Sequence, residues 1–479
     1  MKKQTLLFFL AKLVTAIISF ALVSIRSFDF SALELSDYYV VMKVLSVLYA
    51  VFFTWIPESC IRFFGECPDK KSFFSTILFS LLFACGPAIT GILICGFIPG
   101  CEAVFSYFPY LILLILSQAL NDSVSSVFRV SNKPLAYAIG LIVSSLLNLG
   151  VFFAIPVSFG IGSIFIAVSV SYLFGFVYGL IVLRCHKDFS VSSFDKNLLK
   201  RSLRYSLPLI LVWCSIWIFT SSDTFIISTL CPKEQISYYN TAEGIASQSL
   251  GSISTAFSFA VLPLMISDYN KGDHEAQERN LSAALSTLMK YMIPATVGLM
   301  SISFFLYGSL LNKDYNPGYQ GSFLICLFSA GQLFDCVYQT YAKVWNLEEK
   351  TKTSAAVSLV SALANFTISF LCVYLFKSYL WAAVITLLTL LIRTAVTVCF
   401  LRKRWKLPLD WPILIKSAIA SVVMGVCVCS FLYFVGSSIG LLFAGVGLGI
   451  VAYFATMFAL RGMKEETKAL KGIVHRNRD

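Results

Sequence analysis

Charge is what this chain has least of. Asp, Glu, Lys and Arg make up only 13% of its residues, about half the share of an ordinary soluble domain. Histidine is nearly missing: His186, His274 and His475 all lie in polar stretches between apolar runs. No Gly-rich loop leads into Lys-Ser or Lys-Thr, which excludes a Walker-type ATPase. Large polar loops are missing as well. The longest expected on the cation-poor face spans residues 26–37, too little to display the catalytic groups of a membrane glycan polymerase or ligase.

What remains is apolar. Hydrophobic residues form 58% of the chain, and they fall in runs long enough to cross a bilayer, for which about 20 residues are needed. Spans are expected near residues 5–25, 38–56, 73–98, 104–128, 134–155, 161–183, 207–230, 238–266, 281–308, 321–345, 353–376, 380–400, 411–435 and 439–460. Uninterrupted apolar runs lack the in/out alternation of barrel strands, so the spans are helices. The fold class expected is therefore an all-α polytopic membrane protein with about fourteen helices.

The net charge of +12 is explained by topology. With the N-terminus inside, the inner loops and the tail hold most of the cations, whereas the outer loops hold only Arg26, Lys233, Lys313 and Lys377. This asymmetry predicts cytoplasmic termini on both ends and contact with anionic lipid. It gives no reason to invoke a nucleic-acid partner. Lys12 interrupts the first apolar run, and no small-x-small cleavage site follows, so the first helix is expected to be retained. The 14 cysteines lie mostly in apolar spans, where they act as small hydrophobes. Cys60 and Cys67 share a loop on the reducing side, and neither a metal nor a cofactor is expected.

A weak internal repeat is visible. Tyr38 and Tyr39 enter the second span as Tyr238 and Tyr239 enter the eighth, and Lys43 then aligns with Glu243. Further on, VSSLLN ending at Asn148 matches VSALAN ending at Asn365. The matched helices run in the same direction, a parallel repeat suited to rocking of two lobes about a central site. The expected organisation is an N-terminal lobe at 1–184, a cytoplasmic linker at 185–204, a C-terminal lobe at 205–404, two extra helices at 405–461 and a tail at 462–479.

An ionisable group at mid-bilayer costs about 2.5–3.5 kcal/mol on insertion scales, so it should face a cavity or a partner. Gln332, Asp335 and Gln339 line one face of the tenth span. Asp122 lies on a similar stripe of the fourth, Tyr39 and Lys43 on the second, and Tyr239 and Glu243 on the eighth. Lys12 and Arg393 are isolated charges inside apolar runs. These deep charges either line a cavity or form interhelical ion pairs.

Nearly the whole chain resembles the polysaccharide transporters, or lipid-linked oligosaccharide (O-antigen) flippases, of the MATE-like exporter superfamily. SIRSFDFSALELSDYY followed by a span and PESCIRFFGE is similar to that family's opening, with Glu58, Arg62 and Phe63 at the exit. NLGVFFAIPVSFGIGSIFIAVSVS from Asn148, LRYSLPLILVWCSIWIFTSSDTFIIS with Pro208 and Asp223, YYNTAEGIAS and VLPLMISDYNKGD continue the likeness. The chain departs from it at Asp223-Thr224, where the family often has Asp-Arg.

The resemblance implies a non-enzymatic flippase of the bacterial inner membrane. It would move a polyprenyl-pyrophosphate-linked oligosaccharide outward by alternating access, in surface polysaccharide (O-antigen or capsule-like) biosynthesis. Lys12, Lys43 and Arg393 would then compensate the pyrophosphate, while Glu243, Asp335 or Asp223 would bind a coupling proton or sodium ion. Asp122, Gln332, Gln339, Tyr39 and Tyr239 would line the cavity, and a polymerase with its chain-length machinery would be the partner. A drug or metabolite antiporter of the same fold is the main rival, though its cavity should favour cations. A glycan polymerase or ligase and a non-transporting assembly scaffold are the others.

Overall fold

The computed structural model describes residues 3–462 except 68, 132, 184–192, 256, 258–273, 310–317, 349, 403–404, 406–408 and 437. Among the described residues there is no strand, and eleven helices are long and apolar enough to cross a membrane. Two of the remaining expected spans, 5–25 and 207–230, fall on the helices Lys3–Asp29 and Lys196–Leu230, and the third, 238–266, begins on Glu234–Ala246 while its residues 256 and 258–266 lie outside the described residues. The protein is an all-α polytopic membrane protein.

The chain divides into two compact units, residues 1–244 with 350–389 and residues 245–349 with 390–479. This is a division by packing, distinct from the division by repeat proposed above.

In the first unit, α1 (Lys3–Asp29) leads into α2 (Ala32–Phe52). A capping box starts α2: Ser31 Oγ accepts from the Glu34 N–H at 3.3 Å, and the Glu34 carboxylate accepts from the Ser31 N–H at 2.9 Å. This satisfies backbone donors left free by helix geometry. The second expected span breaks at Phe53–Thr54, and α3 (Trp55–Phe63) begins. Pro57 falls in the first turn of α3, where its missing N–H costs little. The indole of Trp55 donates back to the Phe52 carbonyl at 2.8 Å and ties the break together.

Then come α4 (Lys70–Gly96), the short α5 (Ala103–Ser106), α6 (Phe108–Val130), α7 (Pro134–Ala154) and α8 (Gly162–Leu183). Helices α6 and α8 pack so closely that a Cβ on Gly179 would collide with the Val124 side chain, and one on Gly175 with Asn121. Small residues permit this backbone approach between membrane helices.

Helix α9 (Lys196–Leu230, 35 residues) is about 52 Å long at 1.5 Å per residue, well beyond the roughly 30 Å hydrocarbon core. Its first turns carry Lys196, Lys200, Arg201 and Arg204, and Asp195 caps it by accepting from the Asn197 and Leu198 N–H groups at 2.8 and 3.2 Å. Cys231 and Pro232 end α9, and α10 (Glu234–Ala246) follows. The same unit holds α13 (Thr351–Phe376), packed on α9, and the first part of α14 (Leu380–Arg402).

The second unit continues α10 through a π-helical turn at Ser247–Gly251. It contains α11 (His274–Ser309), α12 (Tyr319–Leu347), the end of α14, α15 (Trp411–Val435) and α16 (Ile439–Ala459). The two C-terminal helices pack on α11 through Ala420, Met424, Val428, Leu432, Leu442, Tyr453 and Met457, against Val297, Ile302 and Phe305. Tyr453 Oη donates to the Lys290 carbonyl at 2.7 Å and fixes their register.

Candidate functional site

The first unit holds a half-open cavity of about 530 Å³ between α2, α3, α6 and α9, a size typical of ligand pockets. One turn after another of α2 contributes Lys43, Ser46 and Tyr49 to its wall. The α2–α3 break adds Thr54, Pro57, Glu58 and Ile61, while α6 adds Asp122 and Ser126. Trp213, Ile216, Trp217, Thr220 and Ser221 of α9 close it.

Lys43 is the cation of this cavity. Its Nζ donates to Glu243 Oε2 at 3.2 Å and to the Thr220 carbonyl at 2.9 Å. The two side chains retain 19% and 26% exposure, so the pair is reachable by water. Positions 43 and 243, which the sequence comparison aligns, are thus joined directly. Asp122 accepts from the Tyr49 hydroxyl at 2.6 Å and from Asn121 Nδ2 at 3.4 Å. Toward the start of α2, Lys233 forms a partly exposed ion pair with Asp37 at 2.6 Å, and Ser36 Oγ donates to the Lys233 carbonyl at 2.6 Å.

Asp223 lies beside this region but is sealed. One of its carboxylate oxygens accepts from Tyr239 Oη at 2.6 Å and from Thr386 Oγ1 at 2.7 Å. Thr386 Oγ1 also lies 3.3 Å from Asn365 Oδ1. Asp223 Oδ1, Asn365 Nδ2 and Ser369 Oγ are buried without a hydrogen-bond partner, which is costly in a membrane interior unless something else occupies them. Tyr39, the repeat counterpart of Tyr239, instead shares a hydrogen bond with Thr241 Oγ1 at 3.1 Å.

The second unit treats its charges differently. Arg393 is 7% exposed, paired with Asp335, and lies 4.0 Å over the Tyr338 ring. Two of the expected site residues therefore neutralise one another. Gln332 faces Gly251 of the π-helical turn, while Gln339 is exposed. The side chain of Lys12 lies outside the described residues, although its backbone belongs to α1. Among the described residues no group of three His, Cys, Asp or Glu could hold a metal, and the described cysteines are free thiols.

Sequence reasoning missed the α9 wall. Trp213 and Trp217 are spaced by one helical turn, with Thr220 and Ser221 following, a pattern that marks one amphipathic face. It also missed Thr386 as a partner of Asp223, because Thr386 is far away along the chain and only packing brings it there.

The membrane-spanning helices, the broken α2–α3 element and the charged wall of a half-open cavity describe a polytopic membrane transporter. The family model for the lipid II flippase MurJ matches residues 73–446. The chain belongs to that family, whose members are flippases of a lipid-linked precursor. A solved lipid II flippase MurJ in an inward closed conformation shares the fold at a TM-score of 0.73 and 14% identity, covering 96% of this chain and 99% of that one. An inward-facing multidrug resistance MATE family transporter is similar at a TM-score of 0.61 and 15% identity, over 84% of this chain and 95% of that one. A MOP superfamily transporter from Pyrococcus furiosus, described as having a pocket of reversed polarity, is similar at a TM-score of 0.57 and 13% identity, over 84% and 95%. No curated protein sequence matches the chain.

Proposed function

We propose that this protein carries a glycan linked to polyprenyl pyrophosphate from the cytoplasmic to the outer leaflet, the polar head entering the α2/α3/α6/α9 cavity while the prenyl chain stays in lipid. Lys43 is the observation that carries this reading. It is a water-accessible cation on a cavity wall, held by a single carboxylate, Glu243. A pyrophosphate brings more negative charge and more acceptor oxygens than one carboxylate, so it displaces Glu243 from Lys43 in that low-dielectric wall. The bond from Lys43 to the Thr220 carbonyl keeps the ammonium in place during the exchange.

Asp223 is the acid we assign to coupling with a proton or sodium ion. Glu243 and Asp335 are engaged with Lys43 and Arg393, whereas Asp223 is buried among hydroxyls with one oxygen unpartnered. Lys12 joins Lys43 as a candidate pyrophosphate contact, and Arg393 with Asp335 serves as an interhelical strut. The cation asymmetry of the loops supports cytoplasmic termini, so that the Glu58 and Ile61 end of the cavity faces the cytoplasm. The repeat halves, 1–184 and 205–404, act as the lobes.

Family membership supports lipid II as the glycan carrier. A second reading, a repeat unit of surface polysaccharide handed to a polymerase and its chain-length machinery, is favoured by the motifs at residues 24–39 and 57–66. Both precede residue 73, where the family match begins. Depletion of the protein in its cell tests both. The expected result is accumulation of a lipid-linked precursor on the cytoplasmic leaflet, and analysis of its sugars decides between the two cargoes. Precursor accumulating outside instead would sink the flippase reading.

A further inference from the structure

The cavity wall built by α9 has a chemistry that a pyrophosphate does not need. Trp213 and Trp217 sit one turn apart and both line the cavity, together with the polar groups of Ser46, Glu58 and Asp122. Trp217 is held rigidly: its Nε1 donates to Ser46 Oγ at 2.8 Å and to the Lys43 carbonyl at 3.1 Å. With its one donor engaged and Phe225 tilted against the ring at 5.7 Å, what Trp217 offers a ligand is the rest of its indole surface. Trp213 is 37% exposed, a large apolar surface placed on a wall that also carries carboxylates and hydroxyls.

We propose that Trp213 and Trp217 are the stacking surface for the sugar rings of the substrate, and that Asp122 and Glu58 receive the sugar hydroxyls. This rests on the flippase reading and names the part of the site that selects the glycan. A pyranose presents axial C–H groups on its faces and hydroxyls around its edge. Its faces therefore pack on electron-rich aromatic rings and its edge seeks carboxylate acceptors, and this cavity supplies both. The order along the wall is also right. The backbone of Lys43 anchors the Trp217 indole, so a pyrophosphate at the Lys43 ammonium places the sugar bonded to it next to Trp217. Trp213, one turn further toward Glu58, meets the following sugar.

The experiment uses the full chain in nanodiscs and two synthetic probes, farnesyl pyrophosphate and farnesyl pyrophosphate carrying one N-acetylhexosamine, with affinity read by calorimetry. Wild-type protein should bind the sugar-bearing probe more tightly than the bare one. Trp217→Ala should lower that ratio of affinities about five- to tenfold, the worth of an aromatic stacking contact, and Trp217→Phe should recover most of it. A ratio unchanged in Trp217→Ala overturns the proposal, as does an equal loss for both probes, which would mean that the ring serves only packing. A wild-type protein that binds the bare probe with no gain from the sugar overturns the stacking role while leaving the flippase reading intact. If wild type binds neither probe, the flippase reading falls and takes this inference with it.

Discussion

The two units solve the same electrostatic problem in opposite ways. Each pairs a cation with a carboxylate within membrane-spanning helices. In the first, Lys43 and Glu243 stay partly wet on a cavity wall, with Thr220 as a third partner. In the second, Arg393 is covered by Tyr338 and locked to Asp335. The difference teaches that charge at mid-bilayer is not by itself a sign of transport. A pair that water can reach can exchange its partner for a ligand. In the second unit the cation itself is buried under an aromatic ring and only Asp335 keeps contact with water, at 29% exposure; opening that pair would leave the guanidinium uncompensated in low dielectric, so it holds helices together instead.

The sharpest way to break this comparison is to neutralise each cation. Lys43→Gln should cut transport by roughly 10-fold or more, the scale expected when a charge-assisted contact worth about 1.5–3 kcal/mol is lost. Protein level in the membrane should change little. Complementation of a depleted strain by this variant at wild-type efficiency would place Lys43 among the struts. Arg393→Leu should do the reverse: about 1–3 kcal/mol of stability is lost because the half-buried Asp335 carboxylate is left without its partner, read as reduced thermal stability in detergent. The double variant Arg393→Leu/Asp335→Leu should recover most of that stability and retain transport. If it folds but does not transport, Arg393 belongs to the site.

A smaller expected effect concerns Asp223. Asp223→Asn keeps the shape and the hydrogen bonds from Tyr239 and Thr386 but removes the charge. The dependence of transport on the ion or proton gradient should fall by about tenfold, of the order of a 1.4 kcal/mol coupling energy, while probe affinity for the Lys43 cavity stays near wild type. An unaltered gradient response would refute the assignment. Smallest is a packing test in the second unit. Gly425 faces α11, where a Cβ would sit 2.8 Å from Ser301 Oγ and 3.2 Å from Val297 Cγ1. Gly425→Ala should cost about 1–3 kcal/mol by overpacking, visible as a lowered melting temperature with transport per folded molecule unchanged.

Much of the helical framework was legible because membrane insertion is written locally. Twenty apolar residues must satisfy their own backbone hydrogen bonds, and that requirement selects a helix without reference to any neighbour. Among the described residues the expected spans accordingly fall on helices. The break after Phe52 was not anticipated, since the apolar run continues through Ile56. It depends on Trp55 turning back to the Phe52 carbonyl and on Pro57 starting a new helix. Similarly, the π-helical turn at Ser247–Gly251 lies in a stripe that reads as regular helix spacing.

The site was legible in part. Lys43, Glu243 and Asp122 stand out as charges in apolar surroundings, and the Lys43/Glu243 alignment even suggested their pairing. Their difference from Arg393 and Asp335 did not stand out, because burial cost depends on what surrounds a charge in space. The alternation of apolar and polar residues determined by itself that this protein is a bundle of membrane helices, since every peptide group in hydrocarbon must be paired within its own segment. Which charges are exchangeable, which tryptophans face a cavity and which acid is left with an unpartnered oxygen was decided only by the tertiary structure. These properties arise from side chains far apart in the chain, such as Lys43 and Glu243 or Asp223 and Thr386, and no local pattern records how helices bring them together.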